Sequence, residues 1–389
     1  MAATALIFGA GKTGRGFAAH LAFLGGYELI LIDKDPQLVS GLRAAGQYDI
    51  RLLDEGKTVC TIKPAGVFSI DDPSWIASFT VTSLVFTAVF GNNLEALAAT
   101  LAPAFEKRYS ENPEQFLTII TCENFTDAAG VLKKMVLRHL SPEKASEIAR
   151  WVNEKIGFSE SIILRTCLDA APGDPALTVR AQNYFELPCD GEALKERLDV
   201  YGLKPLRHFA DQLRRKIYTY NCINAVITYL GAQLGYTELY EAGNDREILA
   251  IAEKAAHETS KAQLAEFGFN REEQRQWVSA AFAKFSDRNI PDPISRNGAD
   301  PARKLGKEDR LIGPALLALK HGIYPEGLLK GILACFAYHD PDKKQQISDL
   351  IGEKGLPAVL QEVCGLSMQD ELARLIEEQF SKTNLYGGA

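Results

Sequence analysis

The chain has 389 residues, 46% of them hydrophobic and 24% charged, with a formal charge of −7. That length exceeds one hydrophobic core, so two domains are expected, and the acidic balance argues against a nucleic-acid surface. No run approaches the roughly 20 apolar residues that cross a bilayer. The N-terminus leads straight into an apolar strand, and the seven scattered cysteines contain no C-x-x-C pair. A cytoplasmic protein with reduced thiols, engaging neither nucleic acid nor membrane, is the expectation.

The first element is an apolar strand over residues 5–8, running into "FGAGKTGRGF" at 8–17. Gly11, Lys12 and Thr13 resemble the end of an ATP phosphate loop, but that motif needs a glycine where Leu6 stands inside the strand. Gly9, Gly11, Gly14 and Gly16 instead carry the spacing of a dinucleotide loop, and the required sequel follows. Residues 15–24 have helical composition, Gly25 and Gly26 end the helix, 27–32 read as a second strand, and Asp33 closes it. Gly9 allows the tight turn, Gly11 the approach of a pyrophosphate to backbone N–H groups, and Gly14 close helix–strand packing. Lys12, Thr13 and Arg15 flank that pyrophosphate. Asp33 would accept hydrogen bonds from the adenosine ribose and repel a 2′-phosphate, which favours NAD over NADP.

Further strands are expected at 83–89 and 116–121, the first followed by a helix from Leu94, the second entering Cys122, Glu123 and Asn124. Alternating strands and helices predict an α/β, doubly wound parallel sheet, the Rossmann arrangement, with ligands beyond the strand C-termini. Ala88 and Val89 therefore join the expected cofactor contacts, and Asn124 lies on the same side. Beyond about residue 195 long helical patterns replace the strands. Loop chemistry at 188–192 places the boundary there: a nucleotide domain at 1–192 and a mostly α-helical C-terminal domain at 193–389.

The helical stretch "RRKIYTYNCINAVITYLG" at 214–231 is apolar in its second half yet carries Lys216, Asn221 and Asn224. Burying an amide or ammonium is costly without partners. On an ideal helix Asn221 and Asn224 share a face, and Lys216 swings toward it from two turns before Asn224. Moving hydride from an alcohol to nicotinamide needs a base for the hydroxyl proton and donors for the developing oxyanion. A lysine partly desolvated beside Arg214 and Arg215 suits the base, since its pKa is pushed down. The other reading is a solvated helix face. Residues 295–310 gather Arg296, Arg303, Lys304, Lys307 and Arg310, either as a solvated loop or as a pocket for a phosphate or carboxylate. The six histidines form no metal-binding spacing, and no G-x-S-x-G elbow occurs.

Together these stretches resemble the polyol-specific long-chain dehydrogenases over essentially the full length. Beside the glycine loop and the Lys216 helix, the matching segments are "IITCENF" at 119–125, "VNEKIGFSES" at 152–161 and "DPARKLGKEDRLIGPALLAL" at 300–319. The resemblance implies a substrate cleft between two domains and NAD-dependent, zinc-independent interconversion of a sugar alcohol phosphate and a ketose phosphate. It implies a monomer or small homo-oligomer. The family pattern K-x-x-x-x-N-x-x-H places the general acid/base on Lys216 and an oxyanion-stabilising asparagine on Asn221. The family's C-[DE]-N turn places the second such asparagine on Asn124. Asn224 stands where the family has histidine, and Leu164 where its V-D-R-[IV] segment has aspartate. Those two departures point to a remodelled site and keep open a hexuronate reductase, whose carboxylate the basic stretch would hold, and a catalytically silent NAD-binding protein.

Overall fold

A computed structural model describes residues 3–54, 56, 58–123 and 127–382. The chain divides into two compact units, Met1–Ala210 and Asp211–Ala389.

The first unit is organised by a parallel six-stranded sheet of β1 (Thr4–Phe8), β2 (Glu28–Asp33), β5 (Gly66–Ser69), β6 (Leu84–Thr87), β7 (Leu117–Thr121) and β8 (Ile156–Glu160). Its order is β5-β2-β1-β6-β7-β8, every neighbouring pair parallel. The strand sequences explain the layering. In β1, Leu6 and Phe8 face one core with Ile30 and Ile32 of β2, while Ala5 and Ile7 face the other with Leu29 and Leu31. A strand buried on both faces reads as an unbroken apolar run, and helices cover each side. One layer includes helices Leu94–Glu111 and Ala128–His139, and the other includes the glycine-loop helix.

Two smaller sheets complete the unit. β3 (Tyr48–Leu53) and β4 (Val59–Ile62) join β9 (Cys167–Leu168) and β10 (Val179–Gln182) in the order β4-β3-β10-β9, while β11 (Leu187–Asp190) pairs in parallel with β12 (Leu203–Leu206). This corrects the expectation of a loop at 188–192. Leu187 and Cys189 are fully buried, and Pro188, which cannot donate, is tolerated because the sheet has only two strands. Its carbonyl accepts from the Ile162 N–H at 2.8 Å. Pairing with β12 carries residues 193–210 into the first unit, so the division falls at 210/211 rather than at 192/193.

The second unit is helical. Helix Cys222–Gln233, nearly all apolar, packs against Arg246–Phe267 and Glu326–Phe336. No helix among the described residues is long and apolar enough to cross a membrane.

Candidate active site

In the first unit the glycine loop fits a dinucleotide by direct steric test. Gly9 has φ +88°, and a Cβ there would stand 2.3 Å from the Ala88 carbonyl oxygen. At Gly14 a Cβ would stand 1.8 Å from the Gly9 carbonyl oxygen, so loop and helix touch through backbone alone. Apart from its chain neighbours, no heavy atom of the described residues lies within 4 Å of a Cβ on Gly11, the opening a pyrophosphate needs. The following helix carries a π-helical turn, Gly14–Ala19. Gly16 sits against β9 and β10, where a Cβ would meet Val179 at 2.5 Å and Cys167 at 3.0 Å.

The polar residues around the loop differ in disposition. Lys12 is half exposed and pairs with Asp169 at 2.8 Å. Thr13 precedes the π turn and makes no side-chain cap. Arg15, expected beside the pyrophosphate, is buried: its Nε donates to the Ala10 carbonyl at 2.7 Å, its guanidinium also to the Leu177 carbonyl, and it lies over the Tyr48 ring. Burial pulls its pKa below the usual arginine value. Its side chain is thus committed to bracing the loop, because a buried guanidinium must satisfy its donors locally.

Asp33 closes β2 beside the loop, the Gly9 N–H donating to the Ile32 carbonyl at 2.8 Å. Its carboxylate accepts from the Asp35 N–H at 2.9 Å. Ala88 and Val89 follow β6, and the Ala88 N–H donates to the Phe8 carbonyl at 2.8 Å. The structure thus brings together Gly9, Asp33, Ala88 and Val89 at the C-terminal edge of the sheet. Glu123, not anticipated, fixes this rim: buried, it accepts from the Val89 N–H at 2.7 Å, and burial raises its pKa. At the same edge Glu160 ends β8, with burial pushing its carboxyl up to about 7. Nothing in composition marks these two acids; only the strand register places them here. Asn124 lies outside the described residues. Leu164 is buried, and a carboxylate at a buried position would need partners.

In the second unit Lys216 ends helix Phe209–Lys216, and Asn221 ends the π-helical turn Ile217–Asn221 that precedes Cys222–Gln233. The Cys222 N–H donates to the Ile217 carbonyl, five residues back. On an α-helix five residues turn about 140° past a full circle, so Lys216 and Asn221 would diverge. Across an i→i+5 turn they return to nearly the same face. Helix geometry alone had Lys216 swing toward the face of Asn221 and Asn224; the π turn, which the sequence did not reveal, is what shortens that reach. The turn is held by the Thr259 hydroxyl donating to the Tyr218 carbonyl at 2.9 Å and by Gln263 and Gln274 donating to the Thr219 hydroxyl at 3.0 Å each. Lys216 is 7% exposed. Arg215 turns away into a slot between Phe269 and Trp277, its Nε on Gln274 at 2.8 Å.

Asn224, half-buried, donates from Nδ2 to Asn297 Oδ1 at 3.1 Å. The basic stretch is less free than its composition suggests. Arg296 donates to Asp292 at 2.8 and 2.6 Å, and Arg303 to Asp300 at 3.1 Å and Asp309 at 3.3 Å. Both keep more than half of their side chains exposed. Lys304 is buried over the Tyr229 ring and donates to the Asn297 carbonyl. Burial, assisted by Arg310, lowers its pKa to about 8. Lys304, which the sequence left as either a solvated cation or an anion-pocket contact, is therefore an internal ammonium committed to the Asn297 carbonyl.

Residues 3–200 match the mannitol dehydrogenase Rossmann domain and residues 209–383 the mannitol dehydrogenase C-terminal domain. Among curated relatives, mannitol-1-phosphate 5-dehydrogenases of Bacillus pumilus and Bacillus subtilis are 30% and 31% identical, each aligned over 97% of this chain and all of its own length. Among solved structures, a substrate-free D-sorbitol dehydrogenase superposes with TM-score 0.78 over 98% of this chain and 93% of its own, at 13% identity. A ternary complex of Pseudomonas fluorescens mannitol 2-dehydrogenase with NAD and D-mannitol gives TM-score 0.68 over 98% and 94%, also at 13% identity. The structural likenesses show the fold. With both family domains matched in order over nearly the whole length, the chain belongs to the mannitol dehydrogenase family.

Proposed function

We propose that the chain is an NAD-dependent dehydrogenase interconverting a sugar alcohol phosphate and a ketose phosphate, of the mannitol 1-phosphate and fructose 6-phosphate kind. The observation that carries this reading is the π turn that sets Lys216 and Asn221 on one face, in a chain whose full-length relatives are named for that reaction.

Bound NAD would supply the hydride acceptor for oxidation of the carbinol carbon. The chain's own residues do the rest. The N-terminal backbone N–H groups of the glycine-loop helix, opened at Gly11, would take the pyrophosphate, with Gly9 and Gly14 shaping the turn, Lys12 and Thr13 bordering it, and the Asp33 carboxylate placed for the ribose hydroxyls. Lys216, as the neutral amine, accepts the substrate's hydroxyl proton at Nζ while Asn221, with Asn124, donates to the oxygen as charge develops. In ketose reduction Lys216 returns the proton. Arg296 and Arg303, half in solvent, are the guanidiniums we assign to the phosphate. It would displace the carboxylates that Arg303 holds and join Asp292 on Arg296.

Following NADH formation or consumption over polyol phosphates, free polyols, aldonates, tagaturonate and fructuronate tests the reading. Turnover is expected for a polyol phosphate. Turnover confined to the hexuronates would replace it with the uronate reductase, and tight NADH binding without turnover on any substrate would replace it with a silent binder.

A further inference from the structure

Asp292, Asn297 and Asn224 form a hydrogen-bonded series whose direction is set at one end. The Asp292 side chain is buried, and its Oδ1 accepts from Asn297 Nδ2 at 2.5 Å. The Pro293 carbonyl accepts from the same Nδ2 at 3.1 Å. A carboxylate and a carbonyl can only accept, so the amide of Asn297 must turn its nitrogen toward them and its oxygen away. That oxygen receives Asn224 Nδ2 at 3.1 Å. Asn224 is thereby oriented in turn: one Nδ2 hydrogen is committed to Asn297, which fixes the edge of the amide on which Oδ1 lies.

The series is anchored throughout. Arg296 donates twice to the same oxygen of Asp292. The Asp292 N–H donates to Glu238 at 2.9 Å, and its carbonyl accepts from the Leu239 N–H at 2.9 Å. The backbone of Asn297 is held by Lys304 at its carbonyl, and the next residue's carbonyl accepts from the Tyr229 hydroxyl at 3.1 Å.

We propose that Asp292 and Asn297 are positioning residues that fix Asn224 as a hydrogen-bond acceptor, so that this position selects a substrate hydroxyl able to donate. An unconstrained asparagine would serve donors and acceptors alike. This one presents Oδ1 on a fixed edge, and holding the carbonyl oxygen is assigned to Asn221. The inference rests on the reading that Asn224 meets a polyol substrate.

Steady-state kinetics on wild type, Asn297→Ala, Asn224→Ala and the double variant test it. Losing one oriented hydrogen bond corresponds to about a tenfold change. Asn297→Ala should therefore raise KM up to about tenfold with kcat within about twofold and NADH binding unchanged. In the Asn224→Ala background it should add nothing. Effects that multiply across the two backgrounds, or a KM indifferent to Asn297→Ala, overturn the proposal. If the alanine variant does not fold, Asn297→Ser, which can still donate to Asp292 while releasing Asn224, carries the same expectations. A panel of monofluorinated substrates adds a structural-role control: where fluorine replaces the contacted hydroxyl, wild type and Asn297→Ala should be equally poor. Should wild type turn over no polyol phosphate, the functional reading fails by itself. Side-chain amide exchange by NMR then decides the positioning. Slow exchange of the Asn224 amide in wild type and faster exchange in Asn297→Ala support it; equal rates contradict it.

Discussion

Lys216 and Asn221 stand at the two ends of one segment whose backbone bond runs from the Cys222 N–H to the Ile217 carbonyl. The extra residue in that turn restores a common face to groups that an α-helix would separate. In the proposed mechanism the two side chains act as a pair, and Thr259, Gln263 and Gln274 hold the turn that aligns them.

Asn221→Ala should lower kcat by about 100-fold, the scale seen when one oxyanion donor is removed, with NADH affinity unchanged. Thr259→Val, which removes the hydroxyl bonded to the Tyr218 carbonyl, should lower kcat without touching either reacting group. Stopped-flow hydride transfer together with NADH titration checks both. A Thr259→Val enzyme that unfolds less cooperatively but transfers hydride at the wild-type rate would separate the turn from the chemistry.

The glycine loop separates packing from ligand space. Gly14→Ala places a methyl 1.8 Å from the Gly9 carbonyl oxygen, an overpacking that costs roughly 1–3 kcal/mol or more and should lower Tm by several degrees. Gly11→Ala meets no atom of the described residues within 4 Å beyond its chain neighbours. It should leave Tm within about a degree while weakening NADH binding at least tenfold. Calorimetry and fluorescence titration read the two effects separately.

The glycine loop, Asp33 and the strands at 4–8, 28–33, 84–87 and 117–121 were legible because each pairs a local pattern with a steric demand. The strands of the smaller sheets were not, since short segments such as β11, with Pro188 inside, derive their state from partners distant in sequence. The site shows the same division. The types Lys216, Asn221 and Asn224 can be read from the chain, whereas the π turn and the Asp292 and Asn297 series depend on tertiary bonds. Charge composition misled at Arg15 and Lys304, because a cation's role depends on which acceptors the fold places around it.

Lys304 should give stability a rising alkaline limb. Its pKa falls from 10.5 to about 8 on folding, so between those values the unfolded chain binds more protons and stability rises with pH. The full penalty, roughly 3 kcal/mol, is present below pH 8. Lys304→Met should therefore differ most from wild type in Tm at pH 7 and progressively less toward pH 10. A difference independent of pH would contradict the buried ammonium.

Glu160 predicts the opposite slope on the acid side. Its folded pKa of about 7 lies above the ordinary 4.5, so the folded state binds more protons between these values and stability falls as pH rises through them. With partial solvent screening the loss is on the order of 2 kcal/mol. Glu160→Gln should flatten the Tm profile between pH 5 and 7.5, and an unaltered slope would assign it to other groups.

The most direct test of the central claim is NADH formation from mannitol 1-phosphate by wild type and Lys216→Ala, measured beside NADH binding to each. The account predicts turnover by wild type, a loss of at least 100-fold in kcat for the variant, and equal NADH affinity. Turnover by Lys216→Ala at the wild-type rate would contradict it.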